Sequence, residues 1–113
     1  MNNETLIHLG SRMKVSPQKI VMLKADVNYT SVHLINGKTF ITATTIGILE
    51  NRLKNLCFFR PNRSVIINLD YMVGFEKTSA QIKMENNEVF KISRRRVQDF
   101  ENIANPKLEN LPL

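Results

Sequence analysis

The residues of this chain best suited to chemistry are arginines, and they come in two short runs. Arg60 and Arg63 flank Pro61-Asn62 within "FFRPNRSVIINLD" (58–70), and Arg94-Arg95-Arg96 stand together in "ISRRRV" (92–97). A guanidinium is planar, permanently charged and presents its N–H donors as a rigid fork. It matches a phosphate, or the O6/N7 edge of guanine, with paired hydrogen bonds. A third polar cluster, Asn28-Tyr29, follows Ala25-Asp26. An asparagine can read a base edge, and a tyrosine hydroxyl can reach phosphate or sugar. Tyr29 fits core or interface packing equally well.

Other chemistries lack the residues they need. Two histidines, His8 and His33, and the single Cys57 do not make the clustered set of a structural zinc site. His33 lies in an alternating segment and reads as an ordinary strand histidine rather than a ligand or catalyst. Gly10, Gly37, Gly47 and Gly74 are scattered, so no phosphate-cradling glycine loop exists. The acidic residues are dispersed. Spacing alone does not rule out a triad assembled in space, but nothing points to one. The expectation is a binding protein with no enzymatic activity, no cofactor and no metal.

Each polar cluster falls at the end of a predicted strand, and the elements between them are mostly β. Residues 5–9 and 12–15 are short candidate strands around Gly10-Ser11. Pro17 breaks the chain before a strand over 19–25. In "YTSVHLI" (29–35), Thr30, Val32 and Leu34 alternate with Tyr29, Ser31 and His33. Asn36-Gly37 then turns the chain into a returning strand over 38–44. Ile46, Leu49, Leu53 and Leu56 lie on one face of a helix over 46–56, with Thr45 at its N-cap and Glu50–Lys54 as a surface pair. Further strands are expected over 64–68, 72–77, 79–84 and 89–93, and a short helix over 93–104. Residues 1–104 then form one domain, with 105–113 as a flexible tail.

The terminal helix places its arginines oddly. If Ser93 caps it, Arg94, Arg95 and Arg96 occupy the first turn, where the helix dipole disfavours cations. An anion docked there reverses the sign of that effect. At about 100° per residue, Val97, Phe100, Ile103 and Ala104 define the inner face. Arg95 then points away from the core, Arg94 is also turned out, and Arg96 flanks the packing face.

Composition agrees with a small soluble domain. The chain has 113 residues, is 42% hydrophobic and carries a net charge of +6, which permits a polyanionic partner. One cysteine allows no intrachain disulfide. The first ten residues have no basic and apolar leader pattern, and no apolar run approaches the ~18 residues needed to span a bilayer. A cytoplasmic location without membrane insertion is expected.

In order and spacing, "ADVNYTSVHL" (25–34), "FFRPNRSVIINL" (58–69) and "ISRRRV" (92–97) resemble the motifs of the LytTR DNA-binding domains of bacterial transcription regulators. The resemblance covers roughly residues 18–104. It departs at Pro61, and at Asn62, where the family commonly has histidine. It implies an elongated, mostly antiparallel β structure of several small sheets, with one short internal helix and a short C-terminal helix. It also implies sequence-specific binding of double-stranded DNA, by strand-end loops that enter successive major grooves.

By this resemblance, Arg63 and Arg95 fall on family contact positions, and Asn28-Tyr29-Thr30 on the first contacting loop. Asn62, Lys91 and Arg94 are expected at the DNA backbone. Arg60 either joins them or braces its loop through an internal salt bridge. Phe59, Val65 and Ile67 anchor the core, Pro61 restrains the loop, and Asn68 satisfies a turn. LytTR domains commonly accompany a receiver domain, for which 113 residues leave no room. The resemblance thus implies a stand-alone regulator, answering to a partner protein, or an excised domain. In either case two copies are expected on paired repeats. The competing readings are a basic protein-interaction module and a small β domain that binds single-stranded nucleic acid.

Overall fold

The computed structural model of the chain describes residues 6–10 and 12–108. Strands β1 (Ile7–Gly10) and β2 (Met13–Val15) form a two-stranded ribbon. A 3-10 turn (Pro17–Lys19) leads into β3 (Ile20–Asp26), β4 (Tyr29–Leu34) and β5 (Thr39–Thr42). Helix α1 (Ile46–Arg52) connects these to β6 (Phe58–Asn62) and β7 (Val65–Asn68). Together they make a five-stranded sheet of order β5-β4-β3-β7-β6. After a second 3-10 turn (Leu69–Tyr71) come β8 (Met72–Glu76), β9 (Gln81–Met84) and β10 (Val89–Lys91), a three-stranded sheet of order β10-β9-β8. A third 3-10 turn (Arg94–Arg96) runs directly into α2 (Val97–Leu108). Every strand pairing is antiparallel.

The five-stranded sheet is covered on both faces, so its central strands read as continuous apolar runs instead of alternating. Ile66 of β7 points into one cluster, with Ile20, Leu23, Val32, Ile7 and Leu9 and with Ile46, Leu49 and Leu53 under α1. Its neighbours Val65 and Ile67 point the other way, joining Met22 and Phe59 against Ile82, Met84 and Phe90 of the second sheet and Phe100 and Ala104 of α2. The Phe100 ring is fully buried and tilted against Phe59 and Phe75, with centroids 5.5 and 4.8 Å away. Asn68 is buried as well. Its Nδ2 donates to the Ile20 carbonyl at 2.8 Å and its Oδ1 accepts from the Asp70 N–H at 2.9 Å, which locks β7 to β3 at the turn.

The mostly β architecture, with several small antiparallel sheets and two helices, is the one the sequence predicts. The molecule is a slab, 41 × 38 × 24 Å.

Local differences have physical causes. α1 stops at Arg52, not residue 56, and Asn55 turns the chain with a left-handed φ of 69°. Lys54 therefore lies outside the helix and Leu56 is exposed, while Leu53 still folds under. Thr45 takes the N-cap position without a side-chain capping bond. Of the Asn36-Gly37 pair, Gly37 alone has positive φ. Residues 58–62, read as the loop before a strand, are themselves a strand. β6 lies at the sheet edge, with its register shifted between Phe59 and Asn62, where Pro61 is tolerated.

α2 continues past residue 104 to Leu108. Pro106 falls in its last turns, where the missing N–H does not disturb the packed Phe100–Ala104 face. Ile103, expected on that face, is 55% exposed, and the helix packs through Val97, Phe100 and Ala104. Residue 5, Ser11 and residues 109–113 of the expected tail lie outside the described residues.

Candidate nucleic-acid interface

Backbone hydrogen bonds gather the three polar clusters at one end of the five-stranded sheet. Asp26 pairs with Tyr29, leaving Val27-Asn28 as the two-residue tip of the β3–β4 hairpin. Asn62 pairs with Val65, leaving Arg63-Ser64 as the tip of the β6–β7 hairpin. The Ala25 N–H donates to the Ser64 carbonyl at 2.8 Å, so the two tips stand side by side. The third cluster is fastened to β6. The Ser93 N–H donates to the Pro61 carbonyl at 2.9 Å, and the Ser93 hydroxyl donates to the same oxygen at 3.2 Å. Ser93 therefore does not cap a helix with its side chain, contrary to expectation, because its hydroxyl is spent on Pro61.

The Arg63 backbone is held from several sides. Asn62 Oδ1 accepts the Ser64 N–H at 2.9 Å, closing an Asx turn, and Asn62 Nδ2 donates to the Lys91 carbonyl at 2.8 Å. Arg60 donates from one terminal nitrogen to the Arg63 carbonyl at 2.6 Å and from the other to Glu50 Oε1 at 2.8 Å. Of the two roles open to Arg60, the structure shows the brace: its charge is paired with Glu50 and both of its terminal nitrogens are engaged, while its buried Nε has no partner among the described residues. Glu50 pairs with Arg60, not with Lys54 as expected from helical spacing.

Arg96 lies with its guanidinium carbon 4.9 Å from the Phe59 ring centroid and its Nε 3.9 Å from Asp99 Oδ2, the core-flanking place that helical geometry assigns to it. Arg63, Arg94 and Arg95 are exposed. Among the described residues their guanidinium groups make no hydrogen bond or ion pair. Exposed Lys91 adds a fourth free cation beside them. Arg63 and Arg95 share one open cleft of about 430 Å³, which Arg60, Arg96 and Ser93 also line.

At the hairpin tip, Asn28 is exposed and Tyr29 is 56% exposed, so Tyr29 is not a core residue. Thr30 departs from expectation. It is 0% exposed and its hydroxyl donates to the Thr44 carbonyl at 2.8 Å, so it props the hairpin and cannot touch a ligand. The alternation that put Thr30 with Val32 and Leu34 already pointed it inward. Asn62, expected at the DNA backbone, is engaged at both ends of its amide within the fold.

Two residues escaped the sequence reading. Glu50 carried no signal of its role, because its partner comes from a strand ten positions on. Val27, at φ 48° and 94% exposed, looked like any valine between polar neighbours. The described residues contain no group of three His, Cys, Asp or Glu side chains placed to hold a metal, and no helix long and apolar enough to cross a membrane.

The sequence profile of the LytTr DNA-binding domain matches residues 10–105. The chain belongs to that family, a class of DNA-binding domains of transcription regulation and not a class of enzymes. Among solved structures, it is similar to a LytTr DNA-binding domain from Bacillus cereus, taken from a protein described as a methyl-accepting/DNA response regulator. The two share 20% identity and a TM-score of 0.70, covering 91% of this chain and 97% of the other. At that identity the likeness establishes the fold alone. No curated protein matches.

Proposed function

We propose that this chain binds double-stranded DNA sequence-specifically, in the cytoplasm, with its strand-end segments set into the major groove. The observation that carries this reading is the side-by-side fastening of two hairpin tips and the Arg94–Arg96 turn, with Arg63 and Arg95 left unpaired above a braced backbone. Because hydrogen bonds fix the backbone of the Arg63 tip, docking there orders the side chain but not the loop, and a bidentate contact with guanine adds affinity at that reduced cost. Asn28 stands beside them to read a base edge. Tyr29, Lys91 and Arg94 meet phosphate or sugar. Asn62 and Arg60 position Arg63. Two copies occupy paired repeats, since the 41 Å long dimension covers little more than one ~34 Å helical turn.

Aromatic placement speaks against the single-strand reading. That function needs several exposed stacking faces, and of six Phe and two Tyr only Tyr29 is exposed. The test is a mobility shift with duplex DNA, single strands and RNA over a range of salt concentrations. Duplex is expected to bind tightest. Equal or tighter binding to single strands or RNA, or no binding to any of them, contradicts the proposal, and the last outcome returns the basic face to an acidic protein partner.

A further inference from the structure

Val27 is unexplained by either packing or turn chemistry. At 94% exposure it gains nothing from burial. Its φ of 48° is a steric outlier for a β-branched side chain, where glycine or asparagine would be at ease. The two-residue loop between Asp26 and Tyr29 calls for positive φ at its first position, and glycine meets that demand without strain. Backbone strain of this kind persists where function uses it. The Ala25–Ser64 hydrogen bond sets this tip beside the turn that carries Arg63, so the exposed valine shares the end of the sheet from which the free arginines extend.

We propose that Val27 reads thymine, its methyl groups packing on the C5-methyl of one T·A pair in the major groove. This rests on the duplex-reading function above and deepens it. The thymine methyl is the one apolar feature on the major-groove edge of the base pairs, and only an apolar side chain recognises it. Arginine and asparagine cover guanine and adenine. Val27 is the exposed apolar residue within the three clustered tips and supplies what those polar residues lack.

The experiment begins with duplexes enriched by the wild-type protein from a random pool. Each thymine of the enriched site is then replaced in turn by deoxyuridine, which deletes only the C5-methyl group. Wild type is expected to lose about three- to fivefold in affinity at one thymine per half-site, the scale of one buried methyl. Val27→Ala is expected to bind the thymine duplex more weakly and to show no further loss at that uracil, whereas Arg63→Ala keeps the uracil penalty. Val27→Gly, freed of the strained side chain, serves as the second variant and should also be blind to the methyl. Thermal unfolding checks that each variant is folded. Equal uracil penalties in wild type and the Val27 variants, or no penalty at any thymine of a selectively bound site, overturn the thymine contact and leave the duplex-reading function standing. Failure of wild type to enrich any duplex overturns both.

Discussion

Arg60 and Arg63 are the same residue type three positions apart, yet the fold uses them in opposite ways. Arg60 is spent inside, on Glu50 and on the Arg63 carbonyl, and Arg63 is left free. Replacing Arg63 or Arg95 with Ala is therefore expected to weaken specific DNA binding by about 1–3 kcal/mol. Each should leave unfolding stability within roughly 0.5 kcal/mol of wild type, as for other surface substitutions. Arg60→Ala should lower stability and binding together, because the tip loses its tether. Denaturant unfolding beside binding titrations checks both. Two arginines before a buried strand announced a basic site, but which of them was free was not legible. That depended on Glu50, which only the folded chain brings near.

His33 gives a pH dependence at the same scale. Burial, and next the Lys24 ammonium, hold its pKa below the ordinary 6.5, with Glu88 acting in the opposite direction. The unfolded chain then binds a proton near pH 6.5 while the folded chain does not. Stability is full above that pH and is expected to fall as pH is lowered through the depressed folded value. Melting curves between pH 7.5 and 5 should show this slope, and His33→Gln should flatten it.

Elements decide how firmly the tips are held. Phe59 lies in β6 between the sheet core and Phe100, with its ring also under Arg96. Phe59→Ala is expected to cost about 3 kcal/mol or more of stability through the cavity it leaves, read as a lowered denaturant midpoint. The Asn36-Gly37 hairpin and the Asn68 turn were legible because they rest on local chemistry. The end of α1 and the strand character of 58–62 were not. Leu56 continues the apolar spacing of the helix, but Asn55 turns the chain first. Pro61 reads as a loop residue unless the strand is known to lie at an edge. Thr30 shows the reverse case, since its alternation pattern placed it inward while motif resemblance placed it on the ligand.

Across the whole molecule, net charge counts less than which charges are free. Of the basic residues at the clustered tips, Arg60 is neutralised by Glu50, and Arg96 is drawn toward Phe59 and Asp99. Arg63, Lys91, Arg94 and Arg95 remain. If Lys91 and Arg94 meet phosphates while Arg63 and Arg95 read bases, log K should fall with log salt at a slope of about −2 per copy, and a slope nearer −4 would put all four on phosphate. Sedimentation should find a monomer free in solution and two copies on a full site.

The proposed function requires base reading by the braced tips, beyond the holding of charge. Its most direct test is a paired titration of wild type and Arg63→Ala on an enriched duplex and on a scrambled one of equal length and salt. The variant is expected to lose about 1–3 kcal/mol on the enriched duplex and much less on the scrambled one. Equal losses on both would show that Arg63 grips phosphate, and would contradict base reading from this tip.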